Sequence, residues 1–514
     1  MKTKVNDIEA RFITLDAQRS SVLRRGRANA KLTIPSVLPE EGHNEYSTLE
    51  TPYQSLGARG VNNLTNQMIR SLLPTSNFFK LEVSDAAVAA GEFSEGEVAQ
   101  DISVVESTIM QSIDNQSYRN AAYQALRDVI ITGNALMQHT KNGPKTYRLD
   151  KFVVQRDMEG SLLEIITREG IAYENLTEDI RAALVRYNTK DKSRADYEDS
   201  TEDLNLYTRA VRTTKGWEVT QEIDGHQLSP KEFSEENFPY LVLRWSNISG
   251  EHYGRGFVEQ YYGDLHTLEI ISKALRVGAI QATRVIWTVD PSSIISPKDI
   301  KNAFNGDIIS GRADAVNVVQ MNKYADYQWV LTFKQQLESS LSRDFLLMES
   351  VTRDAERVTA EEIRTMTQQL ETSLGGVYTL LAEDFQKPLV SYILYDLIEQ
   401  GKIDKLLKTG LKNLDIKIVT GFEGLGRGQD YQRLATFLNL VQANPDLFNY
   451  VNISELLTRI SVSLGIDKGV LKTKQQLAQE QQQAQEQQMM MEMLKTGAAV
   501  APKGNQQGGN ANGS

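Results

Sequence analysis

Cysteine is absent from the 514 residues. Disulfide frameworks, thiolate metal sites and a cysteine nucleophile are thereby excluded, and a reducing cytosol is the expected habitat rather than the secretory route. Histidine is scarce. His43, His139, His226, His252 and His266 sit in unrelated segments, without the H-x-x-x-H or H-E-x-x-H spacing that sets two imidazoles on one helix face around a metal. No metal and no cofactor are expected. There is no run of about 18 apolar residues, so no membrane-spanning helix is expected. The phosphate-gripping string G-x-x-x-x-G-K-[ST] is also missing. The glycines Gly421, Gly424, Gly426 and Gly428 precede a helical pattern without a lysine or hydroxyl at the phosphate position. With no G-x-S-x-G elbow and no paired-carboxylate signature either, the chain is expected not to be an enzyme. Positive charge is in deficit too: 56 Lys and Arg against 67 Asp and Glu give a net charge of −11. A protein that wraps DNA by overall attraction is excluded, and any nucleic-acid contact must be local.

What is present is a globular composition, 40% hydrophobic and 24% charged, long enough for two to four domains. The first 31 residues run against the overall charge, with eight basic residues and three acids. They read as a basic helix, either a solvated face or a surface for phosphate or an acidic partner. Thr51-Pro52 opens a helical pattern through Leu56, Gly60, Leu64, Met68 and Leu72 that stops at Pro74, which predicts a helix over 52–73. Residues 98–138 also look helical. Beyond Gly143-Pro144 the period changes. Phe152–Val154, Leu162–Ile166, Leu204–Val211 and Trp217–Ile223 are rich in β-formers and separated by turn pairs such as Glu159-Gly160 and Asp224-Gly225, which predicts a mostly antiparallel β region. The charged stretch 190–203 interrupts it as an exposed loop.

A helix beginning after Gly256 carries Tyr261, Leu265, Leu268, Ser272, Leu275 and Ala279 on one face and ends before Pro291. Residues 290–330 hold Pro291, Pro297, Asn305-Gly306 and Gly311, then the strand-like Val316–Met321 and Tyr327–Phe333, a small α+β insert. A second helix follows over 334–349, then a loop over 350–358. Thr359-Ala360-Glu361-Glu362 is a capping box that starts a third helix reaching about Gln400. Gly375-Gly376 and Pro388 lie inside it, and a kink near 375 is expected. Between Gln475 and Gln488 nine of fourteen residues are glutamine, and Val470, Leu477, Ala484 and Met491 recur every seventh residue. So narrow a stripe seats identical helices side by side, or else belongs to a glutamine-rich helix that only partly forms. The tail from Gly497 is expected to be disordered.

Six strings resemble the portal, or head-to-tail connector, family of T7-like short-tailed bacteriophages. They are Ala30-Lys31-Leu32-Thr33-Ile34-Pro35-Ser36 with Glu41-Gly42-His43-Asn44; Thr51-Pro52-Tyr53-Gln54-Ser55-Leu56-Gly57-Ala58-Arg59-Gly60; Gly250-Glu251-His252-Tyr253-Gly254-Arg255; Glu356-Arg357-Val358-Thr359-Ala360-Glu361-Glu362; Leu374-Gly375-Gly376-Val377-Tyr378; and Gly421-Phe422-Glu423-Gly424-Leu425-Gly426-Arg427-Gly428. The resemblance implies an α+β portal fold. Its parts would be an N-terminal wing over 1–256, helical then β-rich; a stem helix over 257–289; a clip over 290–330; a second stem helix over 331–349; a channel loop over 350–358; a kinked helix and distal wing over 359–468; a crown helix over 469–495; and a disordered tail over 496–514. It also implies a homo-oligomeric ring, expected as a dodecamer, at one capsid vertex of the virion and assembled in the host cytoplasm. Double-stranded DNA would pass through it during packaging and ejection. Its partners would be the terminase large subunit, tail adaptor proteins, and capsid and scaffold proteins. The rival classes are a non-channel capsid scaffold or adaptor and a packaging-motor enzyme subunit.

An acidic channel would keep DNA mobile, because few phosphate contacts form at once. Arg353 and Arg357 are the local exceptions in the channel loop. Either they meet DNA or, with Glu349 and Glu361 at four-residue spacing, they form a helical ion-pair ladder. The insert holds five acids and four bases over 290–330, so terminase docking there would depend on shape and on apolar anchors such as Ile294, Ile295 and Trp329. The alternative is that these three fill the insert's own small core.

Overall fold

The computed structural model describes residues 7–44, 46–75, 77–83, 95–140, 142–176, 178–186, 203–284, 286–319, 324–347, 374–403 and 414–418, with positions 437 and 439. All of these but the last two positions lie in the unit Met1–Leu425; a second unit is Gly426–Ser514. The charged stretch 190–202, the loop 350–358, the capping box at 359–362, the glycine cluster at 421–428, and the expected crown and tail fall outside the described residues.

Helices α1 (Ile8–Gln18) and α2 (Ser20–Leu32) open the chain. The Asp7 carboxylate accepts the Ala10 N–H at 2.9 Å and caps α1. Much of the basic charge here is neutralised internally. Arg11 reaches Glu164 at 2.8 Å, and Arg19, 2% exposed, pairs with Asp16 at 2.7 Å.

Helix α3 (Leu56–Leu72) starts four residues later than Thr51-Pro52 predicts. The correction has a distant cause: the Tyr53 and Gln54 N–H groups donate to the Glu269 carboxylate at 2.9 and 3.1 Å, which holds the segment before the helix. After β1 (Phe79–Val83) come α4 (Glu95–Asn115) and α5 (Tyr118–Thr132). The expected helix over 98–138 is therefore two helices. Gly133, with φ 82°, terminates α5, and residues 134–138 are strand. Ala135, Leu136 and Met137 are all fully buried, so this strand has no alternation to distinguish it from a helix.

The β region is antiparallel throughout its described strands. β2 (Asn134–Thr140) and β3 (Gly143–Tyr147) pair with each other, and β4 (Phe152–Arg156) pairs with β5 (Leu162–Ile171). Helix α6 (Glu178–Arg186) follows. Then come β6 (Leu204–Thr213), β7 (Gly216–Ile223), β8 (His226–Gln227), β9 (Lys231–Phe233) and β10 (Tyr240–Arg244). Strands run β4-β5-β6-β7-β8 in one sheet, with β9 also on β7, and β10-β2-β3 in another. The predicted turns hold: Gly160 and Gly225 have φ of 92° and 82°. Helix α1 packs Ile8, Phe12 and Leu15 on Val153, Ile166 and Tyr207.

Helix α7 (Phe257–Gln260) gives way at Tyr261 to α8 (Tyr262–Ala282). The helix expected to reach 289 ends at 282, because Ile286–Val289 is strand β11, paired beyond α9 (Pro297–Asn302) with β12 (Val316–Val319). Helix α10 (Tyr324–Asp344) corrects the insert's far boundary. Tyr327–Phe333, read as a strand from its aromatic and branched residues, is helical. Tyr327, Val330, Lys334, Leu337 and Leu341 recur at three- and four-residue spacing, and that period prevails over β-propensity. Helix α11 (Gly376–Leu381), a π-helical turn (Ala382–Gln386) and α12 (Lys387–Glu399) follow. The π turn sits where Pro388 has no N–H to give the Asp384 carbonyl. Strand β13 (Leu414–Ile418) closes on β1. The fold is α+β, and among the described residues no helix is long and apolar enough to cross a membrane.

Candidate assembly and docking surface

Three of the strings quoted above for their resemblance, at 30–36, 51–60 and 250–255, pack around one structural feature, the root of the α8/α10 pair. Glycines permit close approach there. A Cβ on Gly60 of α3 would lie 2.6 Å from the Phe345 ring, and one on Gly57 would lie 2.5 Å from the Leu32 carbonyl. Gln54 donates to that carbonyl at 2.6 Å and accepts the Gly57 N–H at 2.8 Å. On the other side, Cβ atoms on Gly254 and Gly256 would lie 2.7 Å from the Gly133 carbonyl and 2.6 Å from the Ile131 carbonyl. Asn134 locks this contact by exchanging two hydrogen bonds with the Gly254 backbone, at 2.9 and 2.8 Å. His252 Nδ1 accepts the Arg156 N–H and the Tyr253 hydroxyl accepts the Val154 N–H, both at 3.1 Å. These polar residues position backbone and present no reactive constellation. Among the described residues no group of three or more His, Asp or Glu could hold a metal.

Phe345 stands at the centre of the root. Its ring meets Phe257 edge-on at 5.2 Å and Tyr261 at 5.7 Å, and Leu265, Leu268 and Leu341 are fully buried beside it. Further out, a Cβ on Gly278 would lie 2.8 Å from Tyr327 Cε1. The levels Tyr261–Phe345 and Gly278–Tyr327 fix an antiparallel pair with the β11/β12 insert at its outer end. Sequence reasoning missed Phe345 and Gly278. Only the pairing of two helices that the whole insert separates in sequence reveals them.

Burial is lost outward along the pair. Of 24 large apolar side chains exposed among the described residues, 14 lie between Tyr262 and Phe333. They include Ile280 at 61%, Ile308 at 97% and Phe304 at 82% exposure. The two helices carry five acids and four bases, so their surface is near neutral and does not account for the chain's negative charge.

Of the anchors read from sequence, Ile294 is 90% exposed on the insert. Ile295 is buried; its side chain occupies the place a Cβ on Gly311 would take, so it belongs to the insert's core. Trp329 is 69% exposed and stacks on Phe333 with centroids 5.7 Å apart. It lies on α10, outside the insert, and the alternative that it fills a core is corrected. Gly375 takes φ 42° and breaks the helix just before Gly376, the first residue of α11. Arg353 and Arg357 lie outside the described residues. A cavity of about 220 Å³ lies between α2 and the 251–253 loop, where Arg19 and Arg25 point to Asp16 and Glu259; these cations already have carboxylate partners.

The family model described as bacteriophage head to tail connecting protein matches residues 5–471. A portal protein of Enterobacteria phage T3 is 35% identical over 91% of this chain and 88% of its own length. One of Escherichia phage T7 is 32% identical with the same coverage of both chains. The neck of an empty gene transfer agent particle aligns over 74% of this chain and 86% of its own at 9% identity, with a TM-score of 0.38.

Proposed function

The chain belongs to the bacteriophage head-to-tail connecting protein family, and from that premise we propose how it serves as the portal of a T7-like phage. Identical subunits close into a ring, a dodecamer, at the head–tail junction of the virion. Double-stranded DNA passes through the ring inward during packaging and outward at ejection. Helices α8 and α10 form the stem, and the insert at its end forms the clip. The N-terminal helices and sheets form the wing, facing capsid and scaffold proteins, with the kinked helix at 374–399 beside them. Residues 469–495 form the crown. Assembly takes place in the host cytoplasm. The ring is not an enzyme, and the terminase large subunit that docks on the clip supplies the energy of translocation before tail adaptor proteins replace it.

One observation favours this arrangement most: the concentration of exposed apolar side chains on the helix pair and insert. Patches of this kind on a soluble chain mark surfaces that partners cover. Repetition around a ring gives a docking motor many identical contacts, and avidity follows. Ile294, Phe304 and Ile308, all exposed on the insert, supply the apolar anchors of the clip. Arg353 and Arg357 meet the DNA backbone in the channel loop.

In a defined packaging reaction, Ile294→Asp with Ile308→Asp should abolish motor-dependent DNA uptake while rings still assemble. Arg353→Ala with Arg357→Ala should leave rings and motor docking intact and alter DNA retention. Wild-type uptake by the clip variant would refute the docking role. Wild-type retention by the arginine variant would return those residues to an ion-pair ladder.

A further inference from the structure

We propose that the outward face of α8 binds the aromatic flank of α10 on the next copy of this chain, a contact repeated around the ring. The inference rests on the portal reading and names the surfaces that close it. On α8, Ile270, Val277 and Ile280 are 55%, 45% and 61% exposed. Ile270 and Val277 lie on the side of the helix away from the buried Leu265, Leu268 and Ser272, and Ile280 lies on the adjoining flank. Lys273 and Arg276 stand with Ile280 on that flank. Both lie over the Tyr53 ring, at 5.4 and 5.6 Å, and neither has a carboxylate in ion-pair reach among the described residues. On α10 the stacked Trp329 and Phe333 form an exposed aromatic step, and Asp326 is exposed with no ion pair among the described residues.

The two faces are complementary, and neither complements itself. Packing α8 against α8 of another copy would bring Lys273 and Arg276 against their own duplicates, a like-charge contact at short range. Against α10 the same cations meet two aromatic faces and a carboxylate, which attract them. A contact between two different patches is heterologous, and heterologous contacts close into rings. The register is supplied by the pair itself. Rotation about a ring axis preserves height, and Gly278 is level with Tyr327 within one subunit. The same levels across the boundary set Arg276 beside Trp329 and Lys273 beside Phe333 of the neighbour.

Because the chain has no cysteine, introduced cysteines report this contact without background. Val277→Cys and Trp329→Cys in separate chains, mixed into rings and oxidised, should give disulfide-linked dimers. Both in one chain should give a ladder up to the full ring, and either variant alone should stay unlinked. Arg276→Glu should weaken ring assembly about tenfold or more at low salt, and adding Asp326→Arg should restore it. Intact rings in which Val277→Cys links to itself, in which the mixed pair fails to link, or in which Arg276→Glu assembles like wild type would overturn the contact and leave the portal reading standing. Wild-type chains that form no ring would overturn both.

Discussion

His139 and Asp128 show how two buried groups can hide each other's pH dependence. His139 is 3% exposed, with Nδ1 2.9 Å from the Tyr118 hydroxyl and its ring stacked 3.9 Å from that of Tyr392. Burial pushes its pKa down to about 3. Asp128 is 6% exposed. Burial pushes it up to about 7, against the opposing pull of Arg127 and Arg148 and with the help of Asp150. The signs oppose. As pH falls below about 6.5 the unfolded chain protonates its histidine first, so His139 costs stability from there down to about 3. Asp128 takes its proton first in the folded state, so stability rises as pH falls from about 7 towards the ordinary carboxylate value. Between pH 7 and 5 each change is about 2 kcal/mol, and the two nearly cancel. Relative to wild type, Asp128→Asn should lose about 2 kcal/mol on acidification over this window and His139→Phe should gain a similar amount. Urea denaturation at pH 7 and pH 5 measures both. Parallel pH trends in all three proteins would contradict the assignment.

Between elements, the α3/α10 contact sets helix propensity against packing. Gly60 lies inside α3, where alanine would be favoured by about 1 kcal/mol from propensity alone. A Cβ there would lie 2.6 Å from the Phe345 ring, and forcing a methyl into a filled core costs about 1–3 kcal/mol. Gly60→Ala should therefore be neutral or destabilising by up to about 2 kcal/mol, and Phe345→Leu in the same chain should recover part of the loss. A raised thermal midpoint in the single variant would mean that the close approach does not exist. The middle of α3 was legible in the sequence because Leu64, Met68 and Leu72 repeat on one buried face. Its start was not, since the carboxylate that holds Tyr53 and Gln54 is more than two hundred residues away. The β region was legible from its turns and alternation. β2 was missed because it is buried on both faces, and α10 began early because aromatic residues at helical spacing mimic a strand. The π turn before Pro388 has no signature beyond the proline itself.

At the scale of the whole molecule, the family was legible from ordered strings of residues, but what those strings do was not. Gly57, Gly60, Gly254 and Gly256 gave a pattern without a mechanism until the helix pair they seat was visible. The proposed docking and assembly surfaces were legible only in part. Ile294 and Trp329 stood out as apolar residues, yet Ile295 beside them is buried, and exposure depends on a neighbour, Gly311, that no local pattern discloses. The helix pair is near neutral although the chain is acidic, because net charge is a property of the whole chain and not of each of its faces. The account requires that these faces be covered by copies of the same chain around an open passage. Electron-microscopic imaging of the purified full-length protein at micromolar concentration tests this most directly. Ring-shaped particles of one subunit number with an axial hole wide enough for duplex DNA are the predicted result. Monomers alone, or closed rings without a passage, would contradict it.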